Sequence, residues 1–143
     1  MVADTSTMNL ETLIDDLEAA FAQLQPKEPK LSDRVPVGFT KVTFGRDHFA
    51  GLVTNDESWQ LVPFNGCQVI ATASGESELT SKTISQACQR LLNLWVRVKT
   101  IDQTVQGRLE KVENRLLIFR EFCVPIGSVQ RIELHAVDNR IDL

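Results

Sequence analysis

The sequence predicts a mainly β protein with two helices, an α+β fold in which a small unit of about five short strands occurs twice, each copy preceded by a helix. Two observations carry this. First, Val62-Pro63-Phe64-Asn65-Gly66-Cys67-Gln68-Val69-Ile70 is answered by Val124-Pro125-Ile126-Gly127-Ser128-Val129-Gln130-Arg131-Ile132; upstream, at an offset of 56, Val42 matches Val98, Phe49 matches Val105, Gly51 matches Gly107, Val53 matches Leu109 and Glu57 matches Glu113. Second, in each copy the hydrophobic period changes from helical to short extended pieces.

The first element is a helix over 9–24. Leu10, Leu13, Ile14, Leu17, Phe21 and Leu24 form one apolar stripe, with Thr7 or Asn9 to cap it and Pro26 to end it. The pair Asp15-Asp16 falls off the stripe and reads as a solvated face. Residues 25–36, with three prolines among charges, read as a linker. The first β unit spans 37–74: Phe49, Gly51 and Val53 alternate on one strand face, and Trp59 to Val62 form another strand that ends at Pro63. A connecting helix over 80–94 follows, with Ile84, Ala87, Cys88, Leu91 and Leu92 at helical spacing.

The second β unit spans 95–135. Val96, Val98 and Thr100 share one face of its first strand, while Trp95, Arg97 and Lys99 share the other. Asp102-Gln103 and Glu113-Asn114 read as turns, and Pro125 marks a corner before a last strand from Val129. The polar tail 136–143 reads as fraying.

A helix, a strand, a long bent strand with a mid-strand glycine, a hairpin and a Val-Pro corner resemble the Sm-like (SH3-like) five-stranded barrel. The resemblance implies that Gly51 and Gly107 sit where a long strand must bend for the barrel to close, and that Pro63 and Pro125 mark the strand corners. Over roughly residues 9–134 the chain is also similar to a family of uncharacterised actinobacterial two-barrel proteins, through Leu13-Ile14-Asp15-Asp16-Leu17-Glu18, Val96-Arg97-Val98 and Val124-Pro125. That family implies no activity. Sm-like proteins that bind RNA carry a glycine followed by an acidic residue, then Met-Asn, and an Arg-Gly pair in the last loop. Gly107 and Glu113 match the first part; Met-Asn is missing, and Ile126 and Phe64-Asn65 stand where the arginine would be. The resemblance therefore implies the barrel without its RNA pocket.

Charge is uneven. The net charge is −4, yet residues 1–85 hold 6 basic and 12 acidic side chains and residues 86–132 hold 8 basic and 4 acidic. Arg97, Lys99, Arg108 and Arg115 alternate with apolar residues and form the candidate anion or nucleic-acid patch. Leu10, Leu13, Leu17 and Phe21 form the candidate partner face on the first helix. No catalytic constellation, metal-ligand spacing or cofactor motif stands out: His48 and His135 read as surface residues, and Cys67, Cys88 and Cys123 as small buried hydrophobes in a reducing compartment. Trp59 and Trp95 read as packing residues. The start of the chain lacks the pattern of a secretory leader, and no apolar run spans a membrane. The expected role is a non-enzymatic cytoplasmic binding or assembly module, with a protein partner or self-association. The alternative is a nucleic-acid-binding regulator that uses the basic second unit, weakly and without sequence preference.

Overall fold

The computed structural model describes residues 10–20, 30–55, 57–66 and 69–139. The chain divides into two compact units, 1–30 and 31–143. In the first unit, residues 10–20 form helix α1. Its stripe residues Leu10, Leu13, Ile14 and Leu17 are all exposed, as are Asp15 and Asp16; Phe21, Leu24 and the capping residues Thr7 and Asn9 lie outside the described residues.

The second unit is mainly β. One seven-stranded sheet runs β6 (Ser77–Leu79), β2 (Phe39–Phe44), β3 (His48–Val53), β4 (Ser58–Pro63), β12 (Val129–His135), β7 (Trp95–Thr100) and β8 (Thr104–Arg108). A three-stranded sheet orders β11 (Cys123–Pro125), β10 (Leu116–Ile118) and β9 (Lys111–Glu113), and β1 (Arg34–Pro36) pairs with β5 (Thr72–Ser74). All pairings are antiparallel except β2 with β6. β8 and β9 are two parts of one path broken at Leu109-Glu110. Leu109 N–H donates to Leu94 O at 3.0 Å and Glu110 N–H donates to Ile118 O at 2.9 Å, so the chain leaves the large sheet and enters the small one without losing its ladder.

The two sequence copies meet at β4 and β12, where Leu61 opposes Ile132 and Trp59 opposes Leu134. β4 is therefore flanked on both sides, and all its residues but Trp59 are buried. Burial divides into two clusters. Val42, Phe44, Phe49 and Val62 form a small one, tightened by an edge-on contact of Phe39 and Phe49 at 5.3 Å. The larger one gathers Val96, Val98, Leu109, Leu117 and Ile132, and it takes in Ala50 and Leu61 from the first copy. The apolar alternation on β7 holds as read: Val96 and Val98 are fully buried, and Arg97 and Lys99 half-buried on the opposite face.

A 3₁₀ turn follows each Val-Pro corner. Pro63 ends β4 and leads to a 3₁₀ turn at Phe64–Gly66; Pro125 ends β11 and leads to a 3₁₀ turn at Ile126–Ser128. The offset of 56 does not survive. Counting back from each turn, Gly51 lies on the strand next to the corner strand, whereas Gly107 lies one strand further back, and Val42 and Val98 likewise occupy unequal strands. Neither Gly51 nor Gly107 has a left-handed backbone. What they supply is room: a Cβ at Gly51 would stand 3.0 Å from the Thr40 carbonyl oxygen, and one at Gly107 would stand 3.1 Å from Phe119 Cδ1.

The connecting helix is shorter than its apolar spacing suggests. α2 covers Ile84–Cys88 and passes into a 3₁₀ turn at Gln89–Leu91. Thr83 starts it through a capping box with Gln86, and Asn93 at φ 68° redirects the chain. The segment read as a fraying tail instead begins with a short helix, α3 (Ala136–Asn139), which Asn139 ties to β7: its Oδ1 accepts from Trp95 N at 2.9 Å and its Nδ2 donates to Trp95 O at 3.1 Å.

Candidate functional site

The basic residues of the second copy are partly brought together and partly neutralised. The β7–β8 register places Arg97 opposite Gln106 and Trp95 opposite Arg108, and β12 places Arg131 opposite Lys99. Arg97 makes a two-pronged contact with Asp138 of α3, Nε and Nη2 donating at 2.8 and 3.0 Å. That hydrogen-bonded pair holds the Asp138 carboxyl below its ordinary range. Arg131 Nε donates to Glu133 at 2.7 Å, and His135 Nε2 lies 2.7 Å from the other Glu133 oxygen. Burial alone would raise the Glu133 carboxyl, but these two partners more than offset it and hold the group low. Arg108 is exposed on β8, while Arg115, at φ 61° in the β9–β10 turn, belongs to the other sheet. The register thus puts Arg97, Lys99 and Arg108 on one face of β7–β8, with Arg97 ion-paired, while Arg115 stands in the turn of the small sheet.

The histidines are not surface residues. His135 is 8% exposed and His48 only 2%. His48 opens β3, and its Nδ1 lies 2.9 Å from Asp47 Oδ1. The same carboxylate oxygen accepts from Ile84 N at 2.9 Å, so one aspartate orients the imidazole and anchors the first turn of α2. The ring lies over Gly45, where any Cβ would overlap it, at 2.2 Å from Cε1. Nearby, Thr80 N donates to Phe44 O and Arg46 N to Lys82 O, both at 2.9 Å, which lays residues 80–82 along the β2–β3 turn.

Between this turn, α2 and the β4–β12 seam lies a cavity of about 380 Å³. His48, Lys82, Arg90, Thr43 and Thr80 provide its polar lining, and Trp59, Leu94 and Leu134 are among its apolar walls. Of its lining, the sequence points to Ala87 and Leu91 on the connecting helix, to Trp59 as a packing residue and to His48 as a surface group. The adjacent Asp47-His48 with a preceding glycine is the signal that was there to be read.

A second hollow, about 610 Å³, runs beside β11 and is lined by Ile101, Val105 and Phe122 to Pro125. Cys123 is exposed rather than buried, because alternation on this outer strand turns Val124 inward and its neighbours outward. Cys88, by contrast, is fully buried; burial, with a smaller contribution from the charge of Asp47, pushes its thiol up to about 12. Cys67 lies outside the described residues.

Among the described residues, no group of three or more His, Cys, Asp or Glu side chains is placed to hold a metal ion, and no helix is long and apolar enough to cross a membrane. Comparison with known protein families, with curated proteins and with solved structures finds no match for this chain.

Proposed function

We propose that the protein is a non-enzymatic binding or assembly module of the cytoplasm, built from two tandem five-stranded Sm-like barrels and acting through the strand edges they leave open. The strand path supports the two-barrel reading. In one copy β7, β8–β9, β10 and β11 follow in order, a 3₁₀ turn intervenes, and β12 returns beside β7; in the other, β1 to β4 are followed by a 3₁₀ turn and β5 returns beside β1. The widely spaced, odd-numbered cysteines favour a reducing compartment.

The observation that carries the functional reading is the β4–β12 seam. The corner strand of one copy pairs antiparallel with the last strand of the other, which is strand addition carried out within one chain. Their counterparts, β11 and β5, each stand last in their own sheet. An unpaired edge is a template for a further strand. A second copy bringing β5 to β11 repeats the internal seam between molecules, a head-to-tail contact. The hollow beside β11 receives the side chains that such a strand carries.

Light scattering on size-fractionated protein tests this. The expected mass exceeds the 16.0 kDa of one chain and grows with concentration from micromolar upward. Cys123→Lys, which puts a charge on the β11 edge, restores the monomer. Deleting residues 1–25 leaves the association intact if the edges carry it and abolishes it if the exposed stripe of α1 does. A monomer at every concentration contradicts the reading. Nucleic acid is the weaker reading: with Arg97 and Arg131 held by Asp138 and Glu133, only salt-sensitive contacts around 10⁻⁴–10⁻⁶ M are expected.

A further inference from the structure

We propose that the cavity beside His48 binds a small amphipathic anion, with a carboxylate or phosphate at one end and a compact apolar body at the other. The proposal stands on the composition of the lining and is independent of the strand edges. The chain carries a net charge of −4, and its first copy lies on the acidic side of that balance, yet among the described residues no carboxylate lines this cavity. Its charged lining is Lys82 and Arg90, and neither makes an ion pair among the described residues. Arg97, Lys111 and Arg131 are ion-paired, whereas Lys41, Arg46, Lys99, Arg115 and Arg120 resemble Lys82 and Arg90 in having no ion pair among the described residues; what sets Lys82 and Arg90 apart is that both line one cavity. Lys82 and Arg90 therefore offer their charge to something outside the fold.

His48 is arranged for the same purpose. Asp47 holds Nδ1 at 2.9 Å and Gly45 leaves room for the ring, so the imidazole is fixed in one orientation while lining the cavity. Nε2 is then the ring nitrogen left for a ligand. Lys82 and Arg90 supply the charge for the anion, and the His48 ring adds a fixed polar group beside them. Thr43 and Thr80 add hydroxyl donors, and the rest of the wall includes Trp59, Leu94 and Leu134. A volume of about 380 Å³ lies at the small end of ligand pockets and accommodates roughly a dozen non-hydrogen atoms. A single aromatic ring or short branched chain with one anionic group fits; a nucleotide does not.

The test uses the full chain labelled with nitrogen-15 and four probes of one shape: 3-phenylpropionate, phenyl phosphate, 3-phenylpropanamide and 3-phenylpropylammonium. The Trp59 indole N–H and the backbone amides of His48, Lys82 and Ala87 report on the cavity, and the Trp95 indole N–H, which does not line it, is the internal reference. At least one of the two anions is expected to shift the cavity signals to saturation, and the tighter of them identifies the anionic group. The amide should bind at least about tenfold more weakly and the ammonium not at all. Lys82→Gln/Arg90→Gln, at two side chains outside the buried core, should weaken the anion by about tenfold or more with an unchanged melting temperature. The proposal is overturned if neither anion saturates, if the amide or ammonium binds as well as the anions, if the shifts centre away from Trp59, or if the double variant binds unchanged.

Discussion

Leu61→Ala tests whether the two sequence copies fold as one body. Leu61 is completely buried on β4, faces Ala50 of β3 and Ile132 of β12, and belongs to the larger core although it comes from the first copy. Removing its side chain loses the transfer energy of three carbons and leaves a hole that two paired neighbours on a continuous sheet cannot close easily. The fully buried leucines of other cores lose about 2.7–5 kcal/mol on this change, and a seam position held on both sides belongs near the middle, at about 3.5 kcal/mol. For a unit of roughly 110 residues, the melting entropy converts that loss to a fall of about 15 °C. It is between about a fifth and three-fifths of the stability expected for a unit of that size. The assay is urea unfolding followed by tryptophan fluorescence in Trp59→Phe and Trp95→Phe backgrounds, so that the remaining tryptophan reports on β7 in one and β4 in the other. One shared transition is expected, displaced by the same amount in both, with an unchanged slope. Two transitions, with only the one seen by Trp59 displaced, would refute the reasoning. So would a loss under about 1 kcal/mol, which would mean that Leu61 is not part of the common core.

The remaining predictions follow from single contacts. Gly107→Val drives a branched side chain against the Phe119 ring, 3.1 Å from a Cβ at this site, and should cost about 1–3 kcal/mol in chemical denaturation; an unchanged midpoint would remove the packing argument. In dilute native protein at mildly alkaline pH, iodoacetamide should modify exposed Cys123 and leave Cys88, whose thiol is pushed up to about 12, untouched until unfolding; peptide mapping that finds Cys88 alkylated as fast as Cys123 contradicts its burial. Asp138 and Glu133 both have folded pKa values below their ordinary 3.8 and 4.5, so the stability they contribute is fully present above that range and is lost as the pH falls through the lower folded values. Asp138→Asn should therefore lower the urea midpoint at neutral pH and flatten its decline on the acid side; an acid limb identical to that of the parent would show that the Arg97 pair contributes nothing.

Local patterns made much of this fold legible. The alternation of Val96 and Val98 needs only its own strand, and a proline that cannot donate to a ladder marks the end of β4 and of β11 wherever the strand lies. What was not legible is non-local. Leu61 meets Ile132 through a pairing between copies, and nothing in either segment names its partner. The offset of 56 matched residues of similar character on strands of different rank, because apolar alternation repeats in every strand and so aligns with any other. Apolar spacing runs past the connecting helix because Leu91, Leu92 and Leu94 continue it; the capping box at Thr83 fixes the helix start, and the tightening at Gln89–Leu91 ends it. The burial of the histidines is non-local for a related reason. His48 follows Arg46-Asp47, which reads as solvated, and Asp47 does stay half-exposed, but its carboxylate bridges Ile84 N and the buried imidazole. The site thus depends on contacts between segments far apart in the chain, and single-segment reading captures only its walls.

Hydrogen–deuterium exchange across concentration tests the central claim most directly, because it reads the strand edges themselves. Dilute protein should exchange rapidly at Thr72–Ser74 and Cys123–Val124, the edge strands, and slowly at Leu61 and Ile132 in the closed seam. Raising the concentration should slow both edges together while the seam stays as it was, and Cys123→Lys should cancel the effect. Edges that exchange at the same rate at every concentration, or protection that gathers on residues 10–20 instead, would contradict the account.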